Sequence, residues 1–134
     1  MPYLLKTLAF LLCGSFVRCA IAQTAPTPQQ GTASAASPFA NVDHLLELGK
    51  FSEALGQLEA MQTETPPPTG LAHELGLAYY KKGDYPNAIL NLRKALEENT
   101  DDGEATQLLG LSLYLGGKPS DAIPYLQKVQ SWYP

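Results

Sequence analysis

The chain has 134 residues, of which 45% are hydrophobic and 16% are charged, and its formal net charge is −4. This length is enough for one domain, and the acidic balance argues against nucleic acids and anionic membrane surfaces as partners. Both cysteines, Cys13 and Cys19, lie near the N-terminus, so the rest of the chain offers no disulfide, thiol nucleophile or cysteine metal ligand.

Residues 1–22 have the composition of a secretory signal peptide. Lys6 precedes an apolar run over residues 8–17, and the small residues Ala20 and Ala22 suit cleavage before Gln23. A membrane-spanning helix is the alternative, but Arg18 interrupts the run before it reaches the roughly 20 apolar residues that a span needs. We therefore expect export to the periplasm or the extracellular space of a bacterium, with membrane contact only through an uncleaved signal segment. Removal of residues 1–22 would leave seven basic and 13 acidic residues, a net charge of −6.

Residues 23–37 are rich in Ala, Thr, Pro, Gln and Ser and carry no charge. Such a segment cannot bury enough apolar surface to offset the entropy lost on ordering, which predicts a flexible spacer. A Pro-rich recognition motif is the alternative, but Pro26 and Pro28 are too sparse to favour it.

The rest of the chain repeats with a period of 34 residues. Three columns keep this period without slippage: Gly49, Gly83 and Gly117; Ala54, Ala88 and Ala122; and Leu58, Leu92 and Leu126. Such a period is typical of stacked helical hairpins, each of which needs neighbours to complete its core. We expect the glycine column to end the first helix of each hairpin in a left-handed conformation.

The second and third units resemble the tetratricopeptide repeat. The matching motif residues are Leu75, Gly76, Tyr79, Gly83 and Ala88 in the second unit, and Leu109, Gly110, Gly117, Ala122 and Pro134 in the third. The first unit keeps Gly49 and Ala54 but has Asn41 and Val42 where the others have Leu-Gly. It is therefore a degenerate cap or half ordered, and the sequence leaves open whether its first helix forms.

The resemblance implies an all-α fold, an α-solenoid of about three antiparallel helix-turn-helix repeats over residues 38–68, 69–102 and 103–134. Within the second unit, Ala88 lacks bulk where we expect Gly76 to pass, so the two helices can approach closely. Asp84 and Pro86 suit the start of the second helix of this unit, and the acidic stretch before residue 103 suits the start of the third unit.

The resemblance also implies a binding surface, because the first helices of successive units in this family line a concave groove that receives peptides or partner helices. The aligned positions in this chain are His73, Leu77, Tyr80, Lys81, Glu104, Gln107, Leu111, Tyr114 and Leu115. Leu77, Leu111 and Leu115 have an alternative role, in which they pack against a neighbouring helix. Lys81 alone suits the carboxylate clamp of chaperone-binding members, so we do not expect that mode of recognition.

No pattern of catalytic chemistry accompanies the repeats. The sequence has no HExxH, GxSxG, P-loop or GxGxxG motif, and its two histidines, His44 and His73, lie in different units. The acidic group around residues 97–104 lacks the spacing of a calcium loop. We therefore predict no catalytic site, metal site, cofactor or small-molecule substrate.

Together these features predict a non-enzymatic interaction module of the cell envelope that binds a protein or peptide partner. One alternative is the N-terminal part of a larger envelope protein whose catalytic or anchoring part lies beyond Pro134. The other is a self-assembling unit, a possible homo-oligomer through the C-terminal repeat, because a terminal repeat normally needs a polar cap.

Overall fold

A computed structural model describes residues 37–132. The predicted signal peptide, all of the predicted spacer except Ser37, and Pro134 lie outside the described residues. Six helices and no strand occur in the described part: α1 (Ala40–Glu47), α2 (Phe51–Met61), α3 (Leu71–Lys82), α4 (Tyr85–Glu98), α5 (Gly103–Leu115) and α6 (Pro119–Trp132). Consecutive helices contact one another, and α3 also contacts α5. The predicted all-α fold is confirmed, and the three successive hairpins form an α-solenoid. Between residues 37 and 132, no helix has both the length and the apolar character needed to cross a bilayer.

Three glycines, one period apart, end the first helix of each hairpin. Gly49, Gly83 and Gly117 have φ angles of +72°, +83° and +79°, a region that glycine enters without steric cost. At Gly83 the glycine N–H donates to the Tyr80 carbonyl at 3.0 Å, and the next N–H, of Asp84, donates to the Tyr79 carbonyl at 2.9 Å. The other two glycines have the same pair of bonds. The column therefore reverses the chain in each unit, as the sequence predicts.

Aspartate side chains cap two of the helices. Oδ1 of Asp84 accepts from the Asn87 N–H at 3.3 Å at the start of α4, and Pro86 lies in the first turn of that helix. Oδ1 of Asp102 accepts from the Ala105 N–H at 2.9 Å at the start of α5. These bonds satisfy N–H groups that have no partner within the helix.

The helix that the sequence left open, α1, is present, so the half-ordered alternative for the first unit is wrong. Val42 occupies the place of the motif glycine and is fully buried, and Leu45 and Leu46 are almost fully buried. These side chains belong to the same core as α2 and part of α3. Burial in this core stabilises an eight-residue helix that would be marginal alone.

Two apolar cores run through the array, and α3 contributes to both. Leu71, Leu75 and Ala78 pack into the first core, with α1 and α2. Ala72 packs into the second core, with α4, α5 and α6, while Leu77 and Tyr79 contact both. The units are therefore joined by continuous packing through α3.

The motif glycine of the second unit has a different neighbour from the one that the sequence predicts. A methyl group on Gly76 would lie 2.6 Å from Cγ of Leu92, and no atom of Ala88 is among its three nearest neighbours. One period later, a methyl group on Gly110 would lie 2.7 Å from Cδ2 of Leu126. The predicted close approach exists, but the glycine makes room for the branched end of a leucine.

Candidate partner-binding groove

A cavity lies between the first helices of the first two hairpins. It has a volume of about 320 Å³ and lies between α1 and α3, lined by Asp43, Leu46, Glu47, Leu77 and Lys81. The 34-residue period gives these lining residues counterparts on the next helices. Tyr80 on α3 is the counterpart of Leu46, and the counterparts of Leu77, Tyr80 and Lys81 on α5 are Leu111, Tyr114 and Leu115. We call the surface that carries these residues, together with the polar residues that flank it, the groove face. Its members are Asp43, Leu46, Glu47, His73, Glu74, Leu77, Tyr80, Lys81, Asp102, Glu104, Gln107, Leu111, Tyr114 and Leu115.

The predicted groove residues differ in how far they project. Tyr114 is 59% exposed, and Leu115 also lies open to solvent, as do Lys81 and Gln107. Leu77, Leu111 and Tyr80 are half-buried. The ring of Tyr80 packs on that of Tyr85, with centroids 6.3 Å apart and planes tilted by 58°. Tyr114 is therefore the aromatic side chain of this surface that a partner can reach most freely.

His73 joins α3 to the start of α5. Its Nδ1 lies 2.7 Å from Oδ2 of Asp102, and its Nε2 lies 3.7 Å from Oε2 of Glu104. The His73 side chain is only 16% exposed, and Asp102 also caps α5. The histidine thus links α3 to the start of α5, a contact that the sequence did not predict because the two partners are 29 residues apart.

Glu74 is the neighbour of His73 and is held in an unfavourable environment. Burial raises the pKa of the Glu74 carboxyl above its ordinary value of 4.5. The charge of His73 lowers this pKa, whereas the charges of Asp43, Glu104 and Asp102 raise it further. Oε2 of Glu74 is buried and has no hydrogen-bond partner among the described residues. An ionised carboxylate in this position is costly for the fold.

The contribution of α1 was missed by the sequence analysis. Asp43, Leu46 and Glu47 line the cavity, although α1 lacks the Leu-Gly pair by which a first helix is recognised. The signal that could have found them is the 34-residue register itself. Asp43 shares a column with Leu77, and Glu47 shares one with Lys81.

Among residues 37–132, no three His, Cys, Asp or Glu side chains are grouped so that they could hold a metal ion. A larger cleft of about 540 Å³ lies outside the groove face, between the loop before α3 and the end of α4. Its charged lining residues are Lys94 and Glu98, one turn apart on α4, and its other polar lining residues are Gln62 and Thr69.

Comparison with known proteins gives a family and one relative. Residues 73–133 match the family model described as tetratricopeptide repeat. The Vi polysaccharide export protein VexE of Salmonella typhi is 33% identical over 97 residues, an alignment that covers 69% of this chain and 15% of VexE. The chain therefore spans only a small part of the length of this relative. No solved structure matches the chain.

Proposed function

The chain belongs to the tetratricopeptide-repeat family, matched over residues 73–133, and on this premise we propose that it is a non-enzymatic adaptor that binds a protein segment on its groove face. The repeats of this family are typically interaction modules without catalytic activity. The proposal assigns binding to the first helices α1, α3 and α5, and it requires no cofactor, nucleic acid or small-molecule substrate.

The exposure of apolar side chains on the groove face carries this proposal. Tyr114 is 59% exposed and stands next to exposed Leu115 on α5, and Leu77 and Leu111 are half-buried. Aromatic and aliphatic residues clustered beside a concavity and flanked by polar groups are typical of protein interfaces. A helix or an extended peptide could bury these side chains without rearrangement of the cores beneath them.

We place the adaptor in the cell envelope, in the periplasm or outside the cell. The signal-peptide features of residues 1–22 support this location. The similarity to a relative that is named for polysaccharide export also supports it. Because the shared part is a small fraction of that relative, the proposal concerns the location of this chain and not the activity of the whole relative.

Site-specific photocrosslinking in living cells tests the adaptor function. A benzophenone amino acid in place of Tyr114 samples the groove face, and the same amino acid in place of exposed Leu90 samples α4, outside the groove face. We expect a discrete protein adduct from position 114 and none, or a different one, from position 90. Equal adducts from both positions, or none from position 114, would contradict the assignment of the groove face.

A second candidate function is self-assembly, which a difference within one column supports. Ile123 is 53% exposed. Its counterpart one period earlier, Ile89, is 8% exposed, and its counterpart two periods earlier, Leu55, is 5% exposed. Gly116 of the next unit lies close to Ile89, because a methyl group added to this glycine would lie 3.7 Å from Cδ1 of Ile89. The counterpart of Gly116 in the first unit is Leu48, which is exposed, so Ile123 of one copy could meet Leu48 of the next in a head-to-tail array.

Light scattering at several protein concentrations tests self-assembly. The expected result is a mass that rises with protein concentration. Ile123→Glu should abolish this rise. Leu90→Glu, the same kind of change at another exposed apolar position, should leave it unchanged. A monomer at all concentrations would exclude this candidate and leave the adaptor function untouched.

A further inference from the structure

Carboxylates from three successive first helices converge on the groove face. Asp43 comes from α1, Glu74 from α3, and Asp102 and Glu104 from the start of α5. Asp43, Asp102 and Glu104 each act electrostatically on Glu74, and Asp102 and Glu104 both lie within 4 Å of the His73 ring, at 2.7 Å and 3.7 Å. With Glu47 of the cavity lining, the groove face carries five carboxylates.

The cationic groups of the groove face do not balance this charge. Lys81 is the single lysine or arginine among its members, and it lines the cavity opposite Asp43 and Glu47. His73 is already engaged by Asp102 at 2.7 Å. The carboxylates around Glu74 and Glu104 therefore outnumber the basic groups in this part of the face.

Apolar side chains lie directly beside the carboxylates. Leu77 lines the same cavity as Asp43 and Glu47, and Leu111 continues its column on α5. A complementary ligand must therefore present both positive charge and apolar side chains. Glu74 adds to this requirement, because it is half-buried and its Oε2 has no donor among the described residues, so a positive side chain against the exposed part of this residue would offset its unpaired charge.

We propose that the segment bound by the groove face is basic and amphipathic, with Lys or Arg side chains against Glu74 and Glu104 and apolar side chains against Leu77 and Leu111. This inference rests on the proposed adaptor function and narrows it to a class of partner. An acidic segment would meet like charges across the interface and is selected against. Glu74 then serves recognition at the expense of stability, since its burial as an unpaired carboxylate disfavours the folded state.

Three synthetic peptides of 18 residues test the charge preference on the full chain. All three are amphipathic helices with the same leucine face, and their polar faces carry lysine, glutamine or glutamate. We expect the lysine peptide to bind at least about tenfold more tightly than the glutamine peptide, the scale of one charge-assisted contact, and the glutamate peptide not to bind. We also expect the affinity of the lysine peptide to fall as salt is added.

Charge-matched variants locate the effect. Glu74→Gln with Glu104→Gln removes two carboxylates from the groove face, and Glu97→Gln with Glu98→Gln removes two exposed carboxylates from the end of α4. Both double variants change the net charge equally. We expect the groove-face double variant to weaken binding of the lysine peptide about tenfold or more. The α4 double variant should change the affinity of this peptide less than about twofold. Equal weakening by both would mean that the peptide responds only to overall charge, which would overturn the proposal.

The outcomes separate the inference from the function on which it rests. If the glutamine or glutamate peptide binds as well as the lysine peptide, and Tyr114→Ala weakens that binding, the groove face binds segments but the charge preference is wrong. If no peptide binds in a way that depends on Tyr114, both the preference and the adaptor function are contradicted.

Discussion

Nδ1 of His73 lies 2.7 Å from Oδ2 of Asp102, while the other carboxylate oxygen of Asp102 accepts the Ala105 N–H at 2.9 Å. One carboxylate thus caps α5 and holds the histidine of α3. The second and third hairpins are therefore tied together at the groove face by a polar contact, in addition to the apolar core beneath it.

Substitution of Asp102 tests this double role. We expect Asp102→Ala to lower the free energy of unfolding by about 1–2 kcal/mol, because the cap and the contact with His73 are both lost. Asp102→Asn should lower it less, since asparagine is an equally good cap. Asp84→Ala, which removes a cap without a histidine, is the control and should cost about 1 kcal/mol. Urea denaturation measures all three, and equal losses for Asp84→Ala and Asp102→Ala would show that His73 contributes nothing.

Alanine substitutions at Gly76 and Gly56, both within helices, separate the effect of close packing on stability from the effect of helix propensity. A methyl group on Gly76 would meet Leu92 at 2.6 Å, whereas one on Gly56 would meet nothing within 4 Å. Gly76→Ala should therefore destabilise the array by about 1–3 kcal/mol through overpacking. Gly56→Ala, in the exposed face of α2, should stabilise it by about 0.5–1 kcal/mol. Thermal unfolding of the two variants checks the opposite signs, and a shift of the same sign in both would refute the assigned contact.

These features show what the sequence could predict. The column Gly49, Gly83 and Gly117 was correctly assigned to helix ends, because the left-handed turn depends on only a few neighbouring residues. The cap at Asp84 was likewise predictable from local spacing. The contact between Gly76 and Leu92 was not, because it depends on the direction in which a side chain points at a helix crossing, and a column of residue types carries no such direction.

The binding role of the groove face stays a prediction, and only part of its geometry could be expected from the sequence. The resemblance to the family implied one surface for Leu77, Tyr114 and their neighbours, but the contact between His73 and Asp102 depends on the stagger of α3 against α5. The residues of α1 were passed over because Val42 does not fit the repeat motif. Its burial in the first core is a tertiary effect that outweighs the local pattern.

The stability of the fold should depend on pH through Glu74. Because burial raises the pKa of this carboxyl above 4.5, the folded state binds the proton more tightly than the unfolded state. The free energy of unfolding therefore falls as the pH rises above about 4.5 through the raised pKa, and the penalty is complete above that pKa. We expect Glu74→Gln to raise the melting temperature at pH 7 and to have little effect below pH 4. A variant that melts lower than the parent at pH 7 would mean that the Glu74 carboxylate stabilises the fold.

A buried hydroxyl gives a further test of the second core. Ser112 is fully buried, and its Oγ has no hydrogen-bond partner among the described residues. Its counterpart one period earlier, Ala78, fills the same position without a polar atom. We expect Ser112→Ala to stabilise the protein by about 1 kcal/mol and Ala78→Ser to destabilise it by a similar amount. A clear loss of stability in Ser112→Ala, measured by denaturant titration, would reveal a partner for the hydroxyl.

The most direct measurement is a titration of the isotope-labelled full chain with the lysine-bearing amphipathic peptide, followed by amide chemical shifts. If the groove face is the binding surface, the shifts that change will cluster in α1, α3 and α5, around Asp43, Glu74, Leu77, Gln107 and Tyr114. Changes confined to α4 and α6, around exposed Leu90 and Ile123, would contradict the account, because binding would then occur on the second helices.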